Sequence, residues 1–288
     1  MKKILFLSFI LVFSLNAFAQ HSDAEEKIIT SKVSFLIGSA NVANHYFSNQ
    51  LYSNGVLMGA AVDFGSFYRK NKNLSWSLDL SYAGVDGKSV KAPTNPLGTS
   101  TLGIKDIEVE YGTAYNWNPV KNLYLKAGGT FNINAGVFNA PKGINNVLDL
   151  LFQPQFKAAG AIMYGWSFKK MRLNLFADLE VPFMGVALVG SKYEGTKEIA
   201  TNMLSSGINK SNLNHFVFTS FHNLQGYDLN IGVDLEFKYF SLMASVDTRN
   251  KWWHAYNVQC YKKYTFFNLG FAVDLVSRPR TITNNRYF

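Results

Sequence analysis

At 288 residues the chain is long enough for a domain with its own core, and its single cysteine, Cys260, excludes an internal disulfide. Its net charge of +9 falls to +7 once Lys2 and Lys3 leave with a leader, and most basic residues sit in segments read below as turns and loops. That distribution fits ends facing anionic head groups, export excludes nucleic acid as a partner, and no later run of 18 apolar residues offers a transmembrane helix.

Lys2 and Lys3 precede an apolar run from Ile4 to Leu15, and Ala17-Phe18-Ala19 forms a small-x-small cleavage site. This predicts a secretory signal peptide over residues 1–19, cut after Ala19; the apolar run is too short to anchor a membrane. Gln20 rather than Cys follows the cut, so a lipoprotein anchor is excluded. An exported chain without a spanning helix either stays soluble or enters a membrane as a closed barrel. An open sheet edge in lipid would leave backbone groups unsatisfied.

After a polar lead over residues 20–31, apolar and polar residues alternate strictly through most of residues 32–276. The clearest stretch places Tyr227, Leu229, Ile231, Val233, Leu235, Phe237 and Tyr239 on one face and Asp228, Asn230, Asp234, Glu236 and Lys238 on the other. A period of two is a β-strand with one apolar and one wet face, and this one is long enough to cross a bilayer at a tilt. Ten such segments are predicted: 32–38, 56–68, 74–82, 107–117, 123–134, 156–168, 172–183, 227–239, 240–249 and 264–276. Ten is even, as single-chain bacterial barrels require.

Tight turns are predicted at 69–73, 118–122, 169–171 and the junction at Tyr239, alternating with connections of 14–43 residues. Short periplasmic turns and long extracellular loops show this asymmetry, with the N-terminus on the periplasmic side. Tyr68, Tyr115, Trp117, Trp166, Phe168 and Tyr239 end their segments just before short turns and read as a periplasmic aromatic girdle. Tyr68, Trp117 and Trp166 are 49 residues apart, but Tyr239 follows only after 73, so an insertion lies within residues 190–226. That longest loop is the first place to look for function, and two further strands around residues 215–220 would raise the count to twelve.

Alternation alone leaves open which face points outward. The polar face is mostly small or acidic, through Ser75, Ser77, Ser81, Gly112 and Thr130. The predicted lumen charges are Asp79, Glu108, Glu110, Asp178, Glu180, Asp234 and Glu236, with Asp63, Asp228, Asp247 and Asp274 beside them; Lys126, Lys157, Arg172 and Arg249 are the inward bases. The outside of a soluble barrel, the alternative fold, would carry more Lys and Glu per strand.

In strand number, turn asymmetry and aromatic strand ends, the chain resembles the small outer-membrane β-barrels of Gram-negative bacteria over essentially its whole mature length. The resemblance implies an all-β, antiparallel, up-and-down transmembrane barrel in the outer membrane. It would contact lipid and lipopolysaccharide and be inserted by the barrel-assembly machinery. Such barrels end on a strand with a terminal aromatic; Phe288 supplies it, but Arg280, Asn284 and Arg286 break the alternation. Residues 277–288 are therefore a periplasmic tail or an irregular last strand.

No phosphate loop, zincin helix, paired-cysteine motif or nucleophile elbow is present, and no cofactor is expected. His45, His215, His222 and His254 all fall in predicted extracellular loops. They read as ordinary loop residues, as a metal or haem-iron site built from two or more, or as a general base. In the last case His222 activates Ser220 or a water, with Asp228 orienting the ring. Residues two apart on a straight strand lie ~6–7 Å apart, so that reading requires a bend at Phe221.

The excess of inward acids over inward bases would line a cation-attracting pore, whereas a lumen of ten strands is narrow enough for paired side chains to plug. Trp252, Trp253, Tyr256 and Tyr261 cluster with Lys251, Lys262 and Lys263 in the predicted last long loop, as a site for sugars or lipid phosphates or as an extracellular girdle. The expectation is a filled, non-enzymatic barrel that is structural, adhesive or ligand-contacting. A lipid-modifying hydrolase and a small cation-selective channel are the alternatives.

Overall fold

The computed structural model describes residues 27–44, 51–68, 74–91, 101–139, 148–189, 196–207, 213–255 and 258–276. Eleven strands follow in order: β1 (Lys27–Asn44), β2 (Leu51–Tyr68), β3 (Leu74–Lys91), β4 (Thr101–Val120), β5 (Leu123–Asn139), β6 (Leu148–Ser167), β7 (Arg172–Leu188), β8 (Phe216–Ser220), β9 (Leu224–Glu236), β10 (Phe240–Ala255) and β11 (Val258–Val276). A helix, α1 (Thr196–Ser206), lies between β7 and β8. The ring β1 to β7, then β9, β10 and β11, closes where β11 pairs with β1, and every pairing is antiparallel. Ten strands therefore form the wall, as their alternation predicts. β8 is an additional strand near residues 215–220, but it lies on Met184–Leu188 of β7, in line above β9, and does not widen the ring.

The strands run well past the predicted segments, mostly at the end of the long connections. β1 begins at Lys27, inside the polar lead, and β10 and β11 reach Ala255 and Val258, so the predicted last long loop is a hairpin of two full strands. The physical reason is an inversion of polarity midway up the wall. On β1, Val33, Phe35 and Ile37 face out over buried Ser34, and further along Ser39 faces out over buried Ala40 and Val42. On β4, Ile107 and Val109 face out beside buried Glu108; above them Lys105 faces out beside buried Ile104 and Leu102. Ile37, Phe267 and Val246 are paired in one row, and the next outward row is Ser39, Thr265 and Thr248. Alternation persists through the inversion, but apolar and polar exchange faces, so a search for one apolar face ends there.

The interior is stratified accordingly. Toward the long connections it is an apolar cluster that includes Leu36, Leu57, Leu102, Phe138, Trp253 and Phe266. Toward the tight turns it is polar, with a smaller cluster of Tyr124, Met163, Phe176 and Met243. α1 closes over the apolar end of β6: the Leu150 amide donates to Thr196 Oγ1 at 2.7 Å, Thr196 Oγ1 donates to Asp149, and Ile199 is wholly buried.

At the turn end, Asn122 (φ 69°) supplies the left-handed residue that links β4 to β5 in two residues. Tyr115, Trp117, Trp166, Phe168 and Tyr239 are exposed there, and the Tyr164 and Trp166 rings meet edge-on at 4.7 Å. The Tyr68 side chain and residues 69–73 lie outside the described set, as do the predicted signal peptide 1–19 and the predicted tail 277–288.

Gly128 stands directly opposite Ala114, and a Cβ there would meet the Thr113 carbonyl oxygen at 2.1 Å and Ala114 Cα at 2.6 Å. Gly128→Val is expected to force β4 and β5 apart at a cost of ~1–3 kcal/mol, read as a lower urea midpoint in detergent with an unchanged m-value.

Candidate functional site: crossing ion pairs above an acidic chamber

Between the apolar cluster and the polar half lies a layer of ion pairs that crosses the lumen. Glu108 on β4 receives Arg249 through one oxygen and Lys251 Nζ at 2.7 Å through the other. β10 is five strands from β4 around a ring of ten, so these contacts span the diameter. Lys262 on β11 reaches Asp106 at 2.6 Å and Asn134 Oδ1 at 2.7 Å, while Asn134 Nδ2 donates to the same Asp106 carboxylate. Arg249 also donates to Asp247 at 2.9 Å and to Ser81 Oγ at 2.9 Å. Lys251 and Lys262 are each only 1% exposed. The sequence places both in a loop; instead β10 and β11 continue through this segment and their pleat points both inward.

Below this layer Lys157 gathers three carboxylates: Glu110 at 2.5 Å, Asp228 at 2.7 Å and Glu180 at 2.8 Å. Lys32 pairs with Asp63. At the turn end Arg172 donates to Tyr124 Oη at 2.8 Å and Asn174 Oδ1 at 2.9 Å, and Asn174 passes the contact on to Asp234 at 3.1 Å and Glu236 at 3.4 Å. Lys32, Asp63, Lys157 and its three acids line a cavity of about 340 Å³ together with Asp79, Asp178 and Lys126. The predicted lumen charges thus all face inward except Asp274, whose side chain lies outside the described set. Alternation missed Lys32, Lys251, Lys262 and Asp106, so the inward bases exceed the four expected.

Ser220, His222 and Asp228 are not assembled as a triad. The chain does turn at Phe221-His222-Asn223, and Ser220 Oγ lies 2.5 Å from His222 Nδ1. Asp228, however, faces the lumen on Lys157, so it does not orient the imidazole. The turn has its own supports. The Ser220 amide donates to Asn223 Oδ1 at 2.8 Å, Asn223 Nδ2 to the Phe218 carbonyl at 3.2 Å and the His254 amide to the Asn223 carbonyl at 3.0 Å. Gly226, at φ +153°, lets the strand rejoin β10, where a Cβ would meet the Asn250 carbonyl at 2.1 Å. Outside the wall, Phe131, Phe156, Phe183 and Phe221 follow one another as tilted rings with centroids 4.9, 6.5 and 6.4 Å apart, an aromatic row that alternation does not single out.

His45 lies outside the described residues. His215 precedes β8, and its carbonyl accepts from the Val189 amide at 2.9 Å; His254 is on β10 with its ring 5.2 Å from Trp252. Among the described residues no group of three His, Cys, Asp or Glu is placed to hold a metal ion. Trp252 and Trp253, expected in one loop cluster, point to opposite faces, with Trp253 in the apolar interior.

A family model described as a protein of unknown function, DUF3316, matches residues 3–279. Comparison with curated proteins finds no match. Among solved structures the chain is similar to the translocator domain of autotransporter NalP from Neisseria meningitidis, with 9% identity, a TM-score of 0.36 and coverage of 94% of this chain and 97% of that one. It is also similar to the outer membrane protease OmpT from Escherichia coli, with 6% identity, a TM-score of 0.43 and coverage of 88% and 99%. The beta domain of the Bordetella autotransporter BrkA gives 12% identity, a TM-score of 0.40 and coverage of 88% and 100%.

Lys157→Met leaves three inward carboxylates without their shared cation and is expected to destabilise the refolded barrel by ~3–5 kcal/mol in urea titrations. Asn223→Ala, which removes two hydrogen bonds from the bend, is expected to cost ~1–2 kcal/mol. His222→Ala, at an exposed position, stays within ~0.5 kcal/mol by the same measurement.

Proposed function

We propose that this chain, which belongs to the DUF3316 family of proteins of unknown function, is a non-conducting outer-membrane β-barrel that is not an enzyme. The carrying observation is the polarity inversion. Below it the wall presents Val33 at 54% exposure and Phe35 at 52%, with their row neighbours; above it the same strands present Ser39, Lys105 and Thr265. A soluble barrel has no reason to expose such a belt, whereas lipid requires one.

The aromatic rows support the same boundary. Along β6, eight to ten residues separate Phe156 from Tyr164 and Trp166. At ~3.3 Å per residue and a tilt of ~40°, that is ~20–25 Å, close to the apolar height of an outer-membrane barrel. Tight turns then lie in the periplasm, and the strands above the inversion stand outside the membrane as a stem with an apolar core. Lipid and lipopolysaccharide are the partners of the belt, and the barrel-assembly machinery is the partner of insertion.

The crossing pairs and the apolar cluster support a blocked lumen, since an ion would have to break Glu108 from two cations and then traverse an apolar layer. The Ser220–His222 contact favours a hydrolase only in part, because the carboxylate expected to complete it is held by Lys157. What remains is a structural or contact role for the external stem.

Planar-bilayer recording on the refolded mature chain is expected to give no unitary current while a heat-modifiable gel band reports insertion. Stable cation-selective steps would replace this reading with a channel.

A further inference from the structure

We infer that the chamber on the tight-turn side binds a small, multiply charged organic cation of the linear polyamine class. The cavity, about 340 Å³, is lined by nine carboxylates against Lys32, Lys126, Lys157 and Arg249. The cations are largely committed. Lys32 is on Asp63, Arg249 on Glu108 and Asp247, and Lys157 on three acids at once. Asp79 on β3 and Asp178 on β7 line the same space from strands four apart in the ring, and neither carboxylate makes a hydrogen bond or ion pair with any described residue. Lys126, also without an ion pair among the described residues, offsets only one of them.

A second, independent feature points to an occupant rich in donors. Ser34 Oγ and Thr130 Oγ1, on side chains 3% and 8% exposed, line the cavity with no hydrogen-bond partner among the described residues, and Asn268 Oδ1 (6%) is an unfilled acceptor beside them. Polar atoms buried this far normally have partners. The acids that converge do so on Lys157, and among the described residues no three are placed to chelate a metal ion, whereas ammonium groups spaced along a flexible chain fit acids on opposite walls. The chamber is the less sealed side of the ion-pair layer, and Glu180 on β7 keeps 22% side-chain exposure. Lys32 and Asp63 keep 23% and 19%, against 1% and 3% for Lys262 and Asp106 in the sealing layer.

The test is calorimetric titration of spermidine into the full mature chain refolded in detergent at low salt. Saturable binding near one per barrel is expected, at least tenfold weaker in Asp79→Asn/Asp178→Asn and unchanged in Glu198→Gln, an exposed acid on α1. Thr130→Leu fills the cavity without altering its charge and must weaken spermidine as well, so the inference does not depend on the double variant folding. Absence of saturable heat, binding that survives Thr130→Leu, or an equal loss in Glu198→Gln would each mean that the chamber holds only water. The titration needs no membrane, so it stands or falls separately from the conductance record.

Discussion

Glu108 meets Arg249 and Lys251 across the full width of the ring, and the division of the interior depends on that meeting. A closed antiparallel wall satisfies its own backbone and leaves every second side chain to fill the lumen. Lys251 and Lys262 face each other directly across β10 and β11, an arrangement that repels on its own. Asp106 and Glu108, two residues apart on β4, face inward together and would repel as well. Brought across the lumen, the two unfavourable pairs become one favourable layer. Neither pair is tolerable without the other, because an isolated buried charge loses far more hydration than any neighbour returns.

That layer separates two kinds of interior. Above it, Leu102, Phe138 and Trp253 exclude water; below it, Lys157 must serve Glu110, Glu180 and Asp228 at once. Three acids on one base is not charge balance, and the remaining acids line open space rather than pack against one another. The lower lumen is thus built to stay wet, and the upper lumen to stay dry.

The sequence disclosed the ring of ten and the inward register of most acids, because within the lipid-facing belt hydrophobicity and alternation report the same face. It concealed the upper third of the wall for a physical reason. Ile104 and Lys105 on β4, or Lys262 and Lys263 on β11, are as regularly alternating as Ile107 and Glu108, but with the sign reversed or mixed. A reading tuned to one apolar face takes the reversal for a loop, and so Lys251, Lys262 and Trp253 were assigned to a surface cluster. The bend at Phe221 was legible only as a condition on the Ser220–His222 contact. Nothing local signalled that Asp228 belongs to Lys157, since that pairing joins β9 to β6 through the lumen.

The same inversion bears on what the loop end does. Strands that leave lipid usually fray into loops, yet here β1, β4, β10 and β11 continue as a small barrel with a conventional apolar core. α1 caps that core with Ile199 buried and Thr196 bound to Asp149 and to the backbone amide of Leu150 on β6. A roof fixed in this way resists displacement by a solute, and it adds nothing to a pore. It does fix α1 against the end of β6. The ordered, capped upper lumen and the acidic chamber on the turn side are then separate compartments, divided by the ion-pair layer between them.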